Sequence, residues 1–289
     1  LNGDGVERDA QQGTQLMGLA ARQGFGKACA WMGKAFEKGI PPLSADMDSA
    51  WHYYQLGSQE DDPDCDYRIG LMRYQQGKYK TALSFLRSAA SNDHKGAQLL
   101  MAQCLLSGAG MEADPTRAFA LISRLAHEYT LADAYALLGR CYVSGTGCPQ
   151  NPRLGKACQD TAVALGSIDA LYRLGFCYYS AVGCQQDTAL ALTYIRRAAD
   201  SVHIEAITFL GDYYAEAGNY KEAVAWYEKG VALGYLEPMC ALGECYRDGN
   251  GVVLNSKKAY DLFLEAANAG SARGMMLLAQ CYLDGIHVE

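Results

Sequence analysis

Residues 241–274 read ALGECYRDGNGVVLNSKKAYDLFLEAANAGSARG, and variants of this stretch recur along the whole chain. Each copy has a small residue near the start of a helix and Gly or Ala five positions later. The copies start at Ala28, Cys65, Ala97, Ala134, Ala170, Ala206, Pro238 and Gly274, at intervals of 37, 32, 37, 36, 36, 32 and 36 residues. Periods in this range are typical of arrays of helical hairpins, which usually present extended surfaces to partners.

Residues 170–205 show what one copy predicts. Ala170, Leu174 and Cys177 recur at helical spacing and form one apolar stripe of a first helix. Gly175 has no side chain, so a partner helix can approach closely. A turn over residues 180–186 leads to Asp187, whose carboxylate can accept hydrogen bonds from the first amides of a second helix over residues 188–200.

The helix-capping position also repeats. An Asp or Asn stands 17 residues after the start of several copies, and the same phase is seen near the beginning of the chain: Asp9, Asp114, Asn151, Asp187 and Asn255. Pro follows Asp114 and Asn151, and Pro is favoured at the first position of a helix because its missing N–H is not needed there. The sequence therefore predicts second helices that begin directly after these residues.

Three stretches carry a resemblance to a known family: residues 241–274, ALLGRCYVSGTG at residues 136–147 and ALYRLGFCYY at residues 170–179. They resemble the Sel1-like repeat, a relative of the tetratricopeptide repeat, over essentially the whole chain. The resemblance implies an all-α, right-handed solenoid of antiparallel helical hairpins, with first helices lining the inner surface. It also implies adaptor or scaffold roles without intrinsic catalysis.

The repeat phase predicts a single array over residues 1–289. It comprises a lone second helix, seven full hairpins and a lone first helix, with boundaries at 1–27, 28–64, 65–96, 97–133, 134–169, 170–205, 206–237, 238–273 and 274–289. The loop Gly3-Asp-Gly5-Val6 matches Gly249-Asn-Gly251-Val252, and the last copy stops after its first helix. We therefore expect the chain to be part of a longer array.

Composition and motifs exclude several function classes. The net charge of −7 disfavours a protein that binds the phosphate backbone of nucleic acids. No apolar run approaches the roughly 20 residues that cross a bilayer. No nucleophile elbow, phosphate-binding loop, cofactor motif or metal motif is present, and the five histidines look scattered. We expect no catalytic residue, cofactor or metal, and the remaining enzyme hypothesis would require an unrecognised site.

The eleven cysteines fit a packing role. Five of them share one position, seven residues after the start of a copy: Cys104, Cys141, Cys177, Cys245 and Cys281. A small apolar residue between helices suits that position. The alternative is a disulfide within a copy, joining Cys141 to Cys148 and Cys177 to Cys184. Reduced thiols favour a cytoplasmic setting, although secretion stays open.

The related tetratricopeptide geometry predicts which side chains of the first helices face a binding groove. In the central copies these are Tyr172, Arg173, Phe176, Tyr179, Thr208, Phe209 and Asp212. Aromatic and Arg side chains are common anchors in protein interfaces. The alternative is that the rings only pack between neighbouring first helices.

Charge changes along these groove positions. The later positions are acidic, with Glu205, Asp212, Glu216, Glu237, Glu244 and Asp248 against Arg247, whereas the first full copy has Lys27, Lys34 and Lys38 against Glu37. This pattern predicts a partner segment that is basic where it meets the acidic part, unless the acidic residues form only a solvated face. We expect a non-catalytic scaffold that binds a peptide or helical segment. The competing hypothesis is a secreted or envelope-associated effector that binds a host or envelope component.

Overall fold

The protein is described here by a computed structural model that covers residue 7 and residues 9–285. Within these residues the secondary structure consists of sixteen α-helices and no strands. The chain divides into two compact units, unit 1 up to Gln150 and unit 2 from Asn151 onward. The predicted loop at Gly3 to Val6 and the predicted end at residues 286–289 lie outside the described residues.

Unit 1 contains eight helices, nearly all of thirteen residues. They are α1 (Ala10–Arg22), α2 (Gly26–Lys38), α3 (Met47–Gln59), α4 (Pro63–Gln75), α5 (Tyr79–Ser91), α6 (Lys95–Ser107), α7 (Pro115–Tyr129) and α8 (Ala132–Ser144). Helix α2 packs against α3, α4 against α5 and α6 against α7. One core cluster of this unit joins Met32, Tyr54 and Ile69, and another joins Leu86 and Leu100.

Unit 2 contains eight helices of similar length. They are α9 (Pro152–Ala164), α10 (Ile168–Tyr179), α11 (Thr188–Asp200), α12 (Ile204–Glu216), α13 (Tyr220–Ala232), α14 (Leu236–Asp248), α15 (Ser256–Asn268) and α16 (Ala272–Asp284). Helix α10 packs against α11, α12 against α13 and α14 against α15. The prediction of an all-α solenoid built from helical hairpins is confirmed.

Hydrogen-bonded caps explain where the helices begin. All five predicted caps are confirmed: the side chains of Asp9, Asp114, Asn151, Asp187 and Asn255 each accept a backbone N–H of the helix that follows. The first helices begin two residues before the small residue that marks each copy, as Ile168 does before Ala170. In five of the eight first helices, the residue three before that small residue caps the helix with its side chain: Asp62, His94, Ser167, His203 and Ser271. This cap position was not predicted from the sequence.

Glycine allows close contact inside and between hairpins. A Cβ on Gly175 would lie 2.6 Å from Ile195 Cγ1, so α11 packs directly on the backbone of α10. The second Gly of the Gly-x-Gly turn has another role. A Cβ on Gly251 would lie 2.4 Å from the carbonyl oxygen of Tyr220, at the start of the preceding second helix, and Gly251 also has a φ of 73°. In the copies that contain this turn, its second Gly therefore lets the hairpin contact the previous one closely.

The cysteines lie where small apolar residues are needed. Eight are buried: Cys29, Cys65, Cys104, Cys141, Cys177, Cys240, Cys245 and Cys281. All eleven are free thiols, and the seven-residue pairs are joined by hydrogen bonds to carbonyl oxygens. Cys148 Sγ donates to the carbonyl of Cys141 at 3.5 Å, and Cys184 Sγ donates to that of Cys177 at 3.6 Å. The predicted packing role of the five equivalent cysteines is confirmed by their burial.

Candidate partner-binding groove

Unit 2 contains an open groove with a volume of about 720 Å³. It runs along the N-terminal halves of the first helices α10, α12, α14 and α16. Its walls are made by Tyr172, Ile204, Glu205, Thr208, Phe209, Asp212, Gly234, Tyr235, Leu236, Glu237, Pro238, Ser271, Ala272 and Arg273. The lining combines apolar and aromatic side chains with the charged side chains of Glu205, Asp212, Glu237 and Arg273.

An aromatic cluster forms one wall of this groove. The Phe209 ring contacts Tyr172, Tyr179 and Tyr213 with centroid distances of 6.4, 5.1 and 6.4 Å. Tyr172 also contacts Phe176, which is 44% exposed. The rings therefore pack between the neighbouring first helices α10 and α12, as the alternative hypothesis expects, and they still leave aromatic surface accessible to a partner.

A histidine fixes the position of Tyr172. His203 caps α12 by accepting the N–H of Ala206 at Nδ1, and its ring stacks on Tyr172 at 5.0 Å. Its Nε2 lies 3.5 Å from Asp169 Oδ1. Desolvation alone would raise the pKa of the Asp169 carboxyl, but hydrogen bonds from His203 and Arg173 outweigh it and hold the pKa at about 2. This carboxylate therefore stays charged and keeps the histidine and Arg173 in place.

Acidic side chains line the same groove. Asp212 is exposed, and its Oδ1 accepts a hydrogen bond of 2.8 Å from the buried Tyr227 hydroxyl. Desolvation raises the pKa of Asp212, and the hydrogen bond from Tyr227 and the charge of Arg273 oppose this rise only in part. The charges of Glu216 and Glu237 act in the same direction as desolvation. Glu205 lies next to the capping His203, with Oε2 3.3 Å from Nδ1. Both carboxylates therefore present negative charge at the groove surface.

Arg273 is the groove residue that the sequence analysis missed. It lies at the start of α16, where Nη1 donates to Glu237 Oε2 at 3.0 Å and Nη2 donates to Glu244 Oε2 at 2.5 Å. Arg273 therefore pairs with two of the six predicted acidic residues, Glu237 and Glu244. The position directly before Gly274 is one of the groove-facing positions, so the repeat phase contained the signal for Arg273.

Some of the predicted site residues line the groove and others do not. Tyr172, Thr208, Phe209 and Asp212 line the groove together with Glu205 and Glu237. The other predicted residues, which are Arg173, Phe176, Tyr179, Glu216, Glu244 and Asp248, are not part of its lining. Of these, Arg173 bonds Asp169, Asp248 bonds Arg247 and Glu244 bonds Arg273.

The described part of the chain can also be compared with the requirements of a metal site and of a membrane-spanning helix. No group of three or more His, Cys, Asp or Glu side chains in residue 7 and residues 9–285 has the geometry to hold a metal ion. Over the same residues, none of the helices combines the length and the apolar character that crossing a membrane requires.

A family model described as Sel1 repeat matches nine successive segments of the chain. They are residues 1–25, 26–62, 63–94, 96–128, 132–165, 168–203, 204–235, 239–271 and 272–289. An uncharacterized protein of Neisseria meningitidis serogroup B is 25% identical over 280 residues, which are 94% of this chain and 56% of that protein. The chain thus spans little more than half the length of this relative.

Several solved structures share the fold. A protective antigen of uropathogenic Escherichia coli, which displays an SLR fold, has a TM-score of 0.62 and 23% identity, covering 99% of this chain and 62% of its own. A Sel1 repeat protein from Oxalobacter formigenes has a TM-score of 0.61 and 24% identity, covering 94% and 82%. An immunity protein from Pseudomonas aeruginosa has a TM-score of 0.53 and 22% identity, covering 71% and 81%.

Proposed function

This chain belongs to the Sel1 repeat family, and we propose that it is a non-catalytic scaffold whose unit 2 groove binds a segment of a partner protein. Sel1 repeat proteins generally act as protein-interaction scaffolds and are typically non-catalytic. The observation that carries the proposal for this chain is the aromatic wall of the groove beside two carboxylates, Glu205 and Asp212, that contact no Lys or Arg of the described residues. Such a surface offers an apolar anchor and a charge in one place.

The aromatic wall supports an apolar or aromatic anchor in the partner. Tyr172 is held by His203 and Phe209 is held by Tyr179 and Tyr213, so the rings are fixed before a partner arrives. Pre-arranged rings lose little conformational entropy on binding, and this makes aromatic side chains effective in interfaces.

The charges support a basic segment. Arg273 bridges Glu237 and Glu244, which leaves Glu205 and Asp212 as groove carboxylates without an Arg or Lys in contact among the described residues. A Lys or Arg of the partner would lie between these two carboxylates while its apolar neighbour packs on the ring wall. The charge would mainly determine which segments bind and how fast they associate.

Selection of a random peptide library displayed on phage tests the proposal. We expect the wild-type chain to enrich peptides that combine Lys or Arg with an aromatic or large aliphatic residue. Glu205→Lys with Asp212→Lys should weaken the enriched peptides about tenfold, because the two groove carboxylates that contact no Arg or Lys are reversed in charge. Fluorescence polarisation of labelled peptides gives the dissociation constants.

The matched control reverses two carboxylates on the second helix α13. Glu222→Lys with Glu228→Lys makes the same change in net charge on exposed residues that are not part of the groove lining. Equal weakening by both double variants would contradict binding in the groove. So would enriched peptides that carry no basic residue.

A further inference from the structure

Unit 1 contains a second groove, and its charge is opposite to that of the groove in unit 2. The volume is about 540 Å³, and the walls come from α2, α3, α4 and the cap of α6. The charged lining residues are Lys27, Lys34, Asp64 and Arg68, and the rings are those of Trp31, Tyr54, Tyr67 and His94. Neither the family relationship nor the proposed function of unit 2 assigns a role to this groove.

The carboxylates of this groove already have partners. Glu37 Oε2 accepts a hydrogen bond of 2.6 Å from the Tyr54 hydroxyl, and Oε1 lies 3.5 Å from Arg68 Nη1. Asp64 Oδ1 lies 3.2 Å from His94 Nε2. Glu37 is thus paired with a cation, whereas Asp64 is hydrogen-bonded to a histidine and keeps its negative charge at the groove.

Lys27 and Lys34, in contrast to these carboxylates, form no ion pair with a described residue. Lys27 and Lys34 are exposed on α2, one face of which points into the groove. No ion pair of Lys27 or Lys34 is found within residue 7 and residues 9–285. Their ammonium groups stand about two helical turns apart on the same face, since they are seven residues apart in an α-helix. The groove therefore has a net positive charge, because Lys27, Lys34 and Arg68 outnumber the carboxylates of Asp64 and Glu37.

Aromatic surface lies between these charges. Tyr67 stacks on His94 with a centroid distance of 4.4 Å, in the same way as Tyr172 stacks on His203 in unit 2. Trp31 is half-buried between Lys27 and Lys34 on α2 and packs on the core cluster of unit 1. The indole and phenol rings supply an apolar floor beside the two lysines.

We propose that the unit 1 groove binds an acidic peptide segment of a partner protein. Two carboxylates of the segment pair with Lys27 and Lys34, and an apolar side chain between them packs against Trp31 and Tyr67. The charge complementarity selects this occupant, because a basic segment would meet two unbalanced lysines and carboxylates that are already bound.

A nucleic acid fits this surface less well. A phosphate backbone is recognised by many cations along a continuous surface. This groove has two unbalanced lysines, one arginine bonded to Glu37, and the carboxylate of Asp64 inside it. Isolated carboxylates next to an apolar side chain match that arrangement better than a row of phosphates.

The test uses the full chain and a random peptide library displayed on phage. We expect one class of enriched peptides to contain Asp or Glu beside an aromatic or large aliphatic residue. Lys27→Glu with Lys34→Glu should weaken these peptides at least about tenfold, because both attractions become repulsions. Lys80→Glu with Arg87→Glu, on the exposed side of α5, changes the net charge equally and should leave their affinity unchanged.

Three results would overturn the proposal. They are a selection that yields no acidic peptides, equal weakening by the two double variants, and preferential binding of a single-stranded oligonucleotide that displaces the acidic peptides. The substitutions lie in unit 1, whereas the test of the unit 2 groove uses Glu205 and Asp212. Loss of acidic peptides alone therefore reports on the unit 1 groove, and loss of basic peptides alone reports on the proposed function.

Discussion

At the scale of single residues, Val202 occupies a position that most side chains avoid. Its φ is 65°, in the left-handed region, where a β-branched residue is strained. The equivalent residue before every other first helix also has positive φ, and these residues are Gly24, Asp61, Asp93, Thr130, Gly166, Gly234 and Gly270. The Val202 side chain is 47% exposed, so little packing would be lost if it were removed.

We therefore expect Val202→Gly to stabilise the protein. The relief of strain exceeds the extra flexibility of Gly in the unfolded chain, which gives a gain of about 1 kcal/mol in the free energy of unfolding. The midpoint of thermal unfolding, followed by circular dichroism, measures it. Leu233→Gly is the control, since Leu233 has a φ of −93° and similar exposure, and it should lower the midpoint. A lower midpoint for Val202→Gly would contradict the assignment of strain.

His94 makes the stability of unit 1 depend on pH. Its Nδ1 accepts the N–H of Ala97 at 3.0 Å, so the ring must be neutral there, with the proton on Nε2 facing Asp64. Burial lowers the pKa of His94, and the charge of Asp64 opposes this only in part. In the unfolded chain the imidazole has its usual pKa of about 6.5 and binds protons more readily. The free energy of unfolding should therefore fall as the pH drops through 6.5 toward the lower folded pKa.

Comparison with His94→Asn isolates this contribution. Asn is also a good cap but does not titrate, so the variant keeps the hydrogen bond to Ala97 without the proton linkage. Urea unfolding between about pH 7.5 and about pH 5.5 should show a steeper loss of stability for the wild type than for the variant. Parallel pH profiles for the two proteins would exclude His94 as the source.

At the scale of helical elements, close packing inside a hairpin depends on Gly in the first helix. A Cβ on Gly211 would lie 2.3 Å from Tyr227 Cε1, and Tyr227 is buried with its hydroxyl bonded to Asp212. We expect Gly211→Ala to separate α12 from α13 and to lower the free energy of unfolding by about 1–3 kcal/mol. Chemical denaturation with tryptophan fluorescence as the signal measures the change.

A helical glycine without this constraint provides the control. Around Gly18 in α1 the nearest atom to an added Cβ is Met32 Cε at 3.8 Å, which is an ordinary contact. Gly18→Ala should therefore stabilise the protein by up to about 1 kcal/mol, the helix propensity of Ala over Gly. If both substitutions change stability in the same direction, the difference in packing is not their cause.

The sequence predicted second helices better than first helices. Asp187 and the other four Asp or Asn caps are ordinary cap residues at a constant spacing, so periodicity identified them. The cap position of the first helices varies more. It is Asp or Ser in three helices, histidine in two, and a residue without a side-chain cap in three: Asp62, Ser167, Ser271; His94, His203; Phe25, Leu131, Tyr235. The ring nitrogen of a histidine acts as a cap only when its tautomer and its stacking partner are fixed, and a single sequence does not show this.

At the scale of the whole molecule, the cysteines predict a distinct pattern of reactivity. Eight of the eleven thiols are buried, and Cys148, Cys158 and Cys184 are half-buried. Desolvation raises the pKa of all three, that of Cys158 to about 11, so little thiolate exists at neutral pH. We expect Ellman's reagent to modify no more than three thiols rapidly in the native protein.

The same titration tests the alternative of disulfides at seven-residue spacing. After unfolding without a reducing agent, all eleven thiols should react, because the thiols of Cys148 and Cys184 donate hydrogen bonds to carbonyl oxygens. A count of nine or seven would indicate one or two disulfides. Rapid modification of eight or more thiols in the native protein would contradict the burial of the core cysteines.

The two grooves give the chain two kinds of surface. In unit 2, Arg247 and Arg273 form ion pairs, while Glu205 and Asp212 contact no Lys or Arg of the described residues. In unit 1, Glu37 contacts Arg68 and Asp64 contacts His94, while Lys27 and Lys34 form no ion pair within the described residues. Repeats of one design therefore present opposite charges within one chain. A scaffold of this kind selects partner segments by charge through side chains that differ between otherwise equivalent copies.

The sequence by itself determined the fold class, because small residues, glycine turns and caps act over a few neighbouring residues and recur with the repeat. It also predicted that Tyr172 and Phe209 face the groove, together with the acidic residues Glu205, Asp212 and Glu237. Only the tertiary structure decided which charges remain available. Arg273 contacts Glu244 and Glu237, which lie 29 and 36 residues earlier, and Arg68 reaches Glu37 across 31 residues. These contacts arise where successive first helices lie side by side, so the charge of each groove depends on distances in space rather than on spacing along the chain.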